Sequence, residues 1–177
     1  PAAEEVAAAK EALLGFEAGR VVPEAARLIG ETPPAGRAAL IGVLAAKGAR
    51  DKIDLVFAQA QSPEPAVRAA AIAGLAALAE EKDLARLLEL LYAASDSEET
   101  ANLQKAVAAA AGRNPDPERR ADGLIGFMAG APAEKKATLL RVLPRVPGVK
   151  ALQAAVDATH DKDAQVQGAA VYALSQW

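Results

Sequence analysis

Apolar positions along the chain fall into two alternating kinds of segment. In the first kind, large apolar residues mark one stripe of a helix: Leu84, Leu87, Leu88 and Leu91 recur at i, i+3, i+4 and i+7, so one face is buried and the rest meets solvent. Comparable patterns occupy residues 22–30, 51–61, 83–94, 118–129 and 149–159. The second kind is rich in small apolar residues and is similar to itself. Residues 36–44, 67–75 and 166–174 each open on a pair such as Val67-Arg68 and close on a Leu. Weaker copies start at Leu103, Lys135 and Val6. The second position of each copy falls at 7, 37, 68, 104, 136 and 167, giving spacings of 30, 31, 36, 32 and 31 residues. A fixed period of that length is the signature of a repeat architecture.

Breakers stand where paired helices need them. Pro33-Pro34, Ser62-Pro63-Glu64-Pro65, Asn114-Pro115-Asp116-Pro117, Ala131-Pro132 and Pro147-Gly148 separate the segments, since Pro fits a first helical turn and Gly ends a helix. About eleven helices are predicted, six of the repeating kind alternating with five of the other. Pro144 falls late in a helix and should end it early or bend it. The long spacing around Ser95-Asp96-Ser97-Glu98-Glu99-Thr100 predicts a longer turn there.

Composition agrees with helices. The 177 residues are 52% hydrophobic but only 3% aromatic, and 47 are Ala, the residue with the best helix propensity. Strands favour β-branched and aromatic residues, so an all-β fold is excluded. A single helix pair cannot bury its apolar face alone, so neighbouring pairs must stack and share a core. Small residues at Ala70, Ala71, Gly74 and Ala77 would let adjacent helices approach closely.

Charge and chemistry narrow the function. Twenty Lys and Arg against 23 Asp and Glu leave a net charge of −3, with no excess of cations to gather phosphate, so neither nucleic acid nor a membrane surface is expected as partner. The longest uncharged apolar run, residues 69–79, is far short of the ~20 residues a membrane span needs, so no membrane insertion is expected. No Cys is present, which removes disulfides, thiolate metal sites and Cys nucleophiles. The only His, His160, sits beside Asp161 and Asp163, which can orient and charge an imidazole, but nothing supplies a nucleophile. A helix-end cation is the preferred reading. Asp96, Glu98 and Glu99 lack the alternation and central Gly of a calcium loop and are read as helix N-terminal charge. Gly123, Gly126 and Gly130 are not followed by the Lys-Ser or Lys-Thr of a phosphate loop. No catalytic residue, metal or cofactor is expected.

The copies at Arg37, Arg68 and Gln167, with the acidic turn His160-Asp161-Lys162-Asp163 ahead of Val166, resemble the HEAT repeats of bacterial, phycobilisome-lyase-like type within the armadillo-like superfamily. That pattern is a turn acid, Val-Arg, two small residues and a Leu. Gln104, Lys136 and Gln167 replace the Arg, and Ser62 replaces the turn acid. The resemblance implies an all-α, right-handed α-α superhelix of five to six repeats, with residues 1–177 forming one solenoid domain; the start at Pro1 and the apolar end at Trp177 add the expectation that it comes from a longer chain. It also implies that the helices carrying the Val-Arg pair line a concave binding face.

On that mapping the early copies present Pro34, Ala38, Gly42, Ala66, Ala69 and Ala73, a smooth and shallow surface. The later ones present Asn102, Lys105, Glu134, Thr138, Arg141, Gln165 and Tyr172, which are the expected binding residues. Tyr and Arg dominate binding hot spots. Arg37 and Arg68 are expected to be structural, pairing with a turn carboxylate or carbonyl of the neighbouring repeat. Val171, Leu174 and Trp177 leave an apolar end that a neighbouring domain or subunit would cover. The expected function is a non-catalytic scaffold binding protein or peptide. The alternatives are an accessory domain of a larger, secreted carbohydrate-directed or lyase-like bacterial enzyme, and a small-ligand or chromophore lyase, against which one His, no Cys and an Ala-lined groove argue.

Overall fold

The computed structural model describes residues 3–146 and 148–177; the expected break at Pro147 lies outside the described residues. Among them every regular element is helical. Six repeat helices, α1 (Ala3–Leu14), α3 (Pro34–Ala46), α5 (Pro65–Leu78), α7 (Ser97–Gly112), α9 (Ala133–Leu140) and α11 (Ala164–Ser175), alternate with five others, α2 (Ala18–Leu28), α4 (Ile53–Gln59), α6 (Leu84–Ala93), α8 (Asp122–Met128) and α10 (Val149–Ala158). The alternation is the one the hydrophobic pattern predicts, and the fold is an α-solenoid of HEAT and armadillo type.

Two compact units divide the chain, Pro1–Ala79 and Glu80–Trp177. In the first, α3 packs against both α1 and α5, while α2 pairs with α3 and α4 with α5. In the second, α6 pairs with α7, α8 with α9 and α10 with α11, and α9 packs on α11. Within the first unit α1, α3 and α5 thus lie side by side, and within the second α9 and α11 do, with the intervening helices paired onto them. Ile41, Leu44, Ile72, Leu75 and Leu78 are completely buried in the first unit, and Leu84, Leu87, Leu103, Leu124, Leu139 and Leu140 in the second. The Leu84, Leu87, Leu88 and Leu91 stripe of α6 is buried at all four positions.

Gly74 marks one close approach of buried helices. A Cβ at Gly74 of α5 would stand 3.3 Å from Ile41 Cγ2 and 3.3 Å from Val56 Cγ1, so any larger residue would make these neighbours on α3 and α4 give way. Ala71 is fully buried beside it, but Ala77 is exposed and takes no part in the approach. Pro does what its chemistry allows. Pro34 and Pro65 occupy the first positions of α3 and α5, where a missing N–H costs nothing. Pro144 ends α9 at Leu140 and sits in a single 3-10 turn, Leu143–Arg145. Pro23 instead lies inside α2, which begins earlier than residue 22 because Arg20 and Val21 donate to the Glu17 carbonyl.

One expectation is corrected. The extra residues near 95–100 do not lengthen the turn: they add a helical turn to the start of α7, which is 16 residues long. Asp96 caps that end, its Oδ1 accepting from the Glu99 N–H at 2.8 Å, and Thr100 Oγ1 donates to the Asp96 carbonyl at 2.7 Å. A side-chain cap plus Glu98 and Glu99 beside the positive end of the helix dipole favours helix over loop.

Candidate functional site

All seven residues expected to bind a partner lie in the second unit, Asn102 and Thr138 part-buried and the rest exposed. Helix α9 carries Glu134 and Thr138, and Arg141 follows at its C-terminus. The i, i+4, i+7 spacing puts all three on one face. Thr138 Oγ1 turns inward and donates to the Glu134 carbonyl at 3.0 Å, while the Glu134 and Arg141 side chains are exposed.

The Arg141 guanidinium carbon lies 4.9 Å from the centroid of the Tyr172 ring on α11. At an exposed site such a cation–π contact contributes about 0.5–1 kcal/mol. Its value here is geometric: it holds a cation and an aromatic together, and Tyr172 stays 47% exposed. On α7, Lys105 Nζ donates to Asn102 Oδ1 at 3.2 Å, one helical turn back. Gln165 is exposed in the first turn of α11, where its backbone N–H donates to the Asp163 cap at 2.8 Å.

Several further residues were not foreseen. Lys135 Nζ stands 4.8 Å over the Tyr92 ring of α6, and burial pushes the Tyr92 hydroxyl above its ordinary pKa. A cleft of about 470 Å³ is lined by Lys105, Ala108, Ala109 and Gly112 of α7, with Arg113 just after it and Arg145 from the 3-10 turn opposite. Arg145 Nη1 also donates to the Arg141 carbonyl at 3.3 Å, which links the cleft to the Arg141–Tyr172 pair. The signal for Arg145 was Pro144, which ends α9 and turns the chain.

The repeat cations have structural work. Arg68 Nη1 donates to the Ser62 carbonyl at 2.9 Å and to the Pro63 carbonyl at 3.1 Å. Arg37 Nη2 reaches the Thr32 carbonyl at 3.4 Å, and Gln167 Nε2 the Asp161 carbonyl at 2.6 Å. Each ties a helix to the turn just before it, so the expected partner in a neighbouring repeat is corrected to the residue's own turn. The short lever explains it: after one helical turn the side chain points back along its axis toward the N-terminus. Lys136 reaches across to the turn before α11, placing Nζ 3.1 Å from Asp161 Oδ2.

His160 is exposed just past the end of α10, with Nδ1 3.1 Å from Thr159 Oγ1. Its neighbouring acids are engaged elsewhere: Asp161 with Lys136 and with the Asp163 N–H, and Asp163 as the cap of α11. Among the described residues, no group of three or more His, Asp or Glu side chains is placed to hold a metal ion, and no helix is long and apolar enough to cross a membrane.

Residues 23–108 match the family model of HEAT repeats. Over those residues the chain carries HEAT repeats, which build a helical-repeat scaffold of a kind that commonly engages other proteins. The match ends inside α7, whereas the alternation of helix kinds runs on to α11. No curated protein matches the chain.

Proposed function

We propose that this scaffold is non-catalytic and binds a protein or peptide on the face that presents Asn102, Lys105, Glu134, Thr138, Arg141, Gln165 and Tyr172. The observation that carries the proposal is the Arg141–Tyr172 contact, which joins two of the residue types enriched at binding hot spots in a preformed, half-exposed arrangement. Ordering those side chains before a partner arrives lowers the entropy cost of binding. The engagement of Asp161 and Asp163 away from His160 supports the absence of catalysis.

On the same reading a neighbouring domain or subunit covers the apolar end, where Val171 is 60% and Trp177 48% exposed. The test is panning of a random peptide display library on the wild-type protein and on an Arg141→Glu, Tyr172→Ala double variant, with circular dichroism to verify folding. A sequence motif enriched on the wild type and lost on the folded variant is expected. The same motif enriched on both would remove this face as the binding site.

A further inference from the structure

The cleft between α7 and the Leu143–Arg145 turn differs in charge from the protein around it. The whole chain carries −3, yet the cleft lining holds Lys105, Arg113 and Arg145 and, among the described residues, no carboxylate. Its floor is Ala108, Ala109 and Gly112, whose small side chains leave the helix backbone close to the surface. The depression holds about 470 Å³ and lies wide open to solvent, a shape suited to an extended chain and not to an enclosed small molecule.

We propose that this cleft takes an extended peptide segment rich in Asp and Glu. The inference rests on the peptide-binding reading above and adds to it the chemistry of the partner. Lys105 gives one of its three N–H donors to Asn102 Oδ1, which fixes the ammonium at the rim with two donors over. Arg145 gives one nitrogen to the Arg141 carbonyl, and the rest of its planar fork suits the two oxygens of a carboxylate. Lys105 at one end of the Ala108–Gly112 stripe of α7, Arg113 at the other and Arg145 from the 3-10 turn fit a main chain lying along α7 with acidic side chains reaching the cations. Nucleic acid fits less well. Bases stack on aromatic rings in single-strand sites, and the cleft lining has none.

The experiment is fluorescence anisotropy of the full chain with a fluorescein-labelled hexapeptide of glutamate and alanine. Its arms are a lysine-for-glutamate hexapeptide, a single-stranded RNA of similar length, and two variants, Lys105→Glu with Arg145→Glu and Lys105→Gln with Arg145→Gln. The acidic peptide should bind, the basic one should not, and the charge-reversed variant should lose about tenfold or more in affinity with the neutral variant in between. Raising salt from about 50 to about 300 mM should weaken binding severalfold. Both variants place their changes on exposed side chains, and an unchanged thermal midpoint confirms folding. Absence of binding by the acidic peptide, equal affinity in wild type and charge-reversed protein, or tighter binding of the RNA overturns the proposal. Should that happen while the display library still yields a motif dependent on Arg141 and Tyr172, only the acidic specificity falls and the binding face stands; loss of both results removes the face as well.

Discussion

Lys136 of α9 and Asp161, in the turn before α11, join two successive repeats through a 3.1 Å ion pair in which both side chains are mostly covered. The Asp161 carboxylate also accepts from the Asp163 N–H at 3.0 Å. This N–H first, and the Lys136 contact second, hold its pKa below the ordinary carboxylate value. A depressed folded-state pKa means that the stabilisation is fully present above the unfolded value, ~3.9, and is lost as pH falls through the folded one. The thermal midpoint of the wild type should therefore decline on acidification below about pH 4. An Asp161→Asn variant should start lower at neutral pH and show a shallower acid decline. Equal acid limbs in the two proteins would deny Asp161 this role.

Arg68 is predicted to matter for stability and not for binding. Its bonds to the Ser62 and Pro63 carbonyls hold the start of α5 against the preceding turn, and hydrogen bonds from a charged donor are worth more than neutral ones. Arg68→Ala should lower unfolding free energy by about 1–2 kcal/mol in urea titration. Arg68→Lys should recover only part of it, since an ammonium lacks the planar fork. Neither change should alter peptide affinity.

Two glycines in repeat helices should respond in opposite directions. Gly74→Val drives methyl groups into Ile41 and Val56 and should cost about 2 kcal/mol or more. Gly168 lies exposed inside α11 with nothing within 4 Å of an added Cβ, so Gly168→Ala should stabilise by about 0.5–1 kcal/mol. Thermal melts of both variants test this contrast.

Much of this architecture was legible because the physics is local. Pro at helix starts and Leu at i, i+3, i+4 and i+7 define the alternation of helices without tertiary information. Arg141 and Tyr172 stand 31 residues apart, one repeat period, so their contact follows from equivalent positions on adjacent helices. The start of α7 was not legible, because Ser, Asp and Glu in a run favour a turn as readily as a capped helix until the Asp96 side chain is seen to accept from Glu99. Nor was the basic cleft: Lys105 and Arg145 are 40 residues apart and not at equivalent repeat positions, and only the fold places them on one opening.

Pro144 connects fold to binding. Lacking an N–H, it cannot continue the α9 ladder to the Leu140 carbonyl, and α9 is therefore eight residues long where α5 has 14. The 3-10 turn that follows sets where Arg145 stands relative to α7. Pro144→Ala restores the missing donor and relieves the ring's clash with that carbonyl, so α9 should lengthen by about one turn, with a small rise in the 222 nm helical signal. Arg145 would then ride on a continuous helix and leave the cleft rim, so the acidic hexapeptide should bind severalfold more weakly although every cation remains. Increased helicity with undiminished affinity would show that net charge alone, and not the position Pro144 imposes, governs recognition.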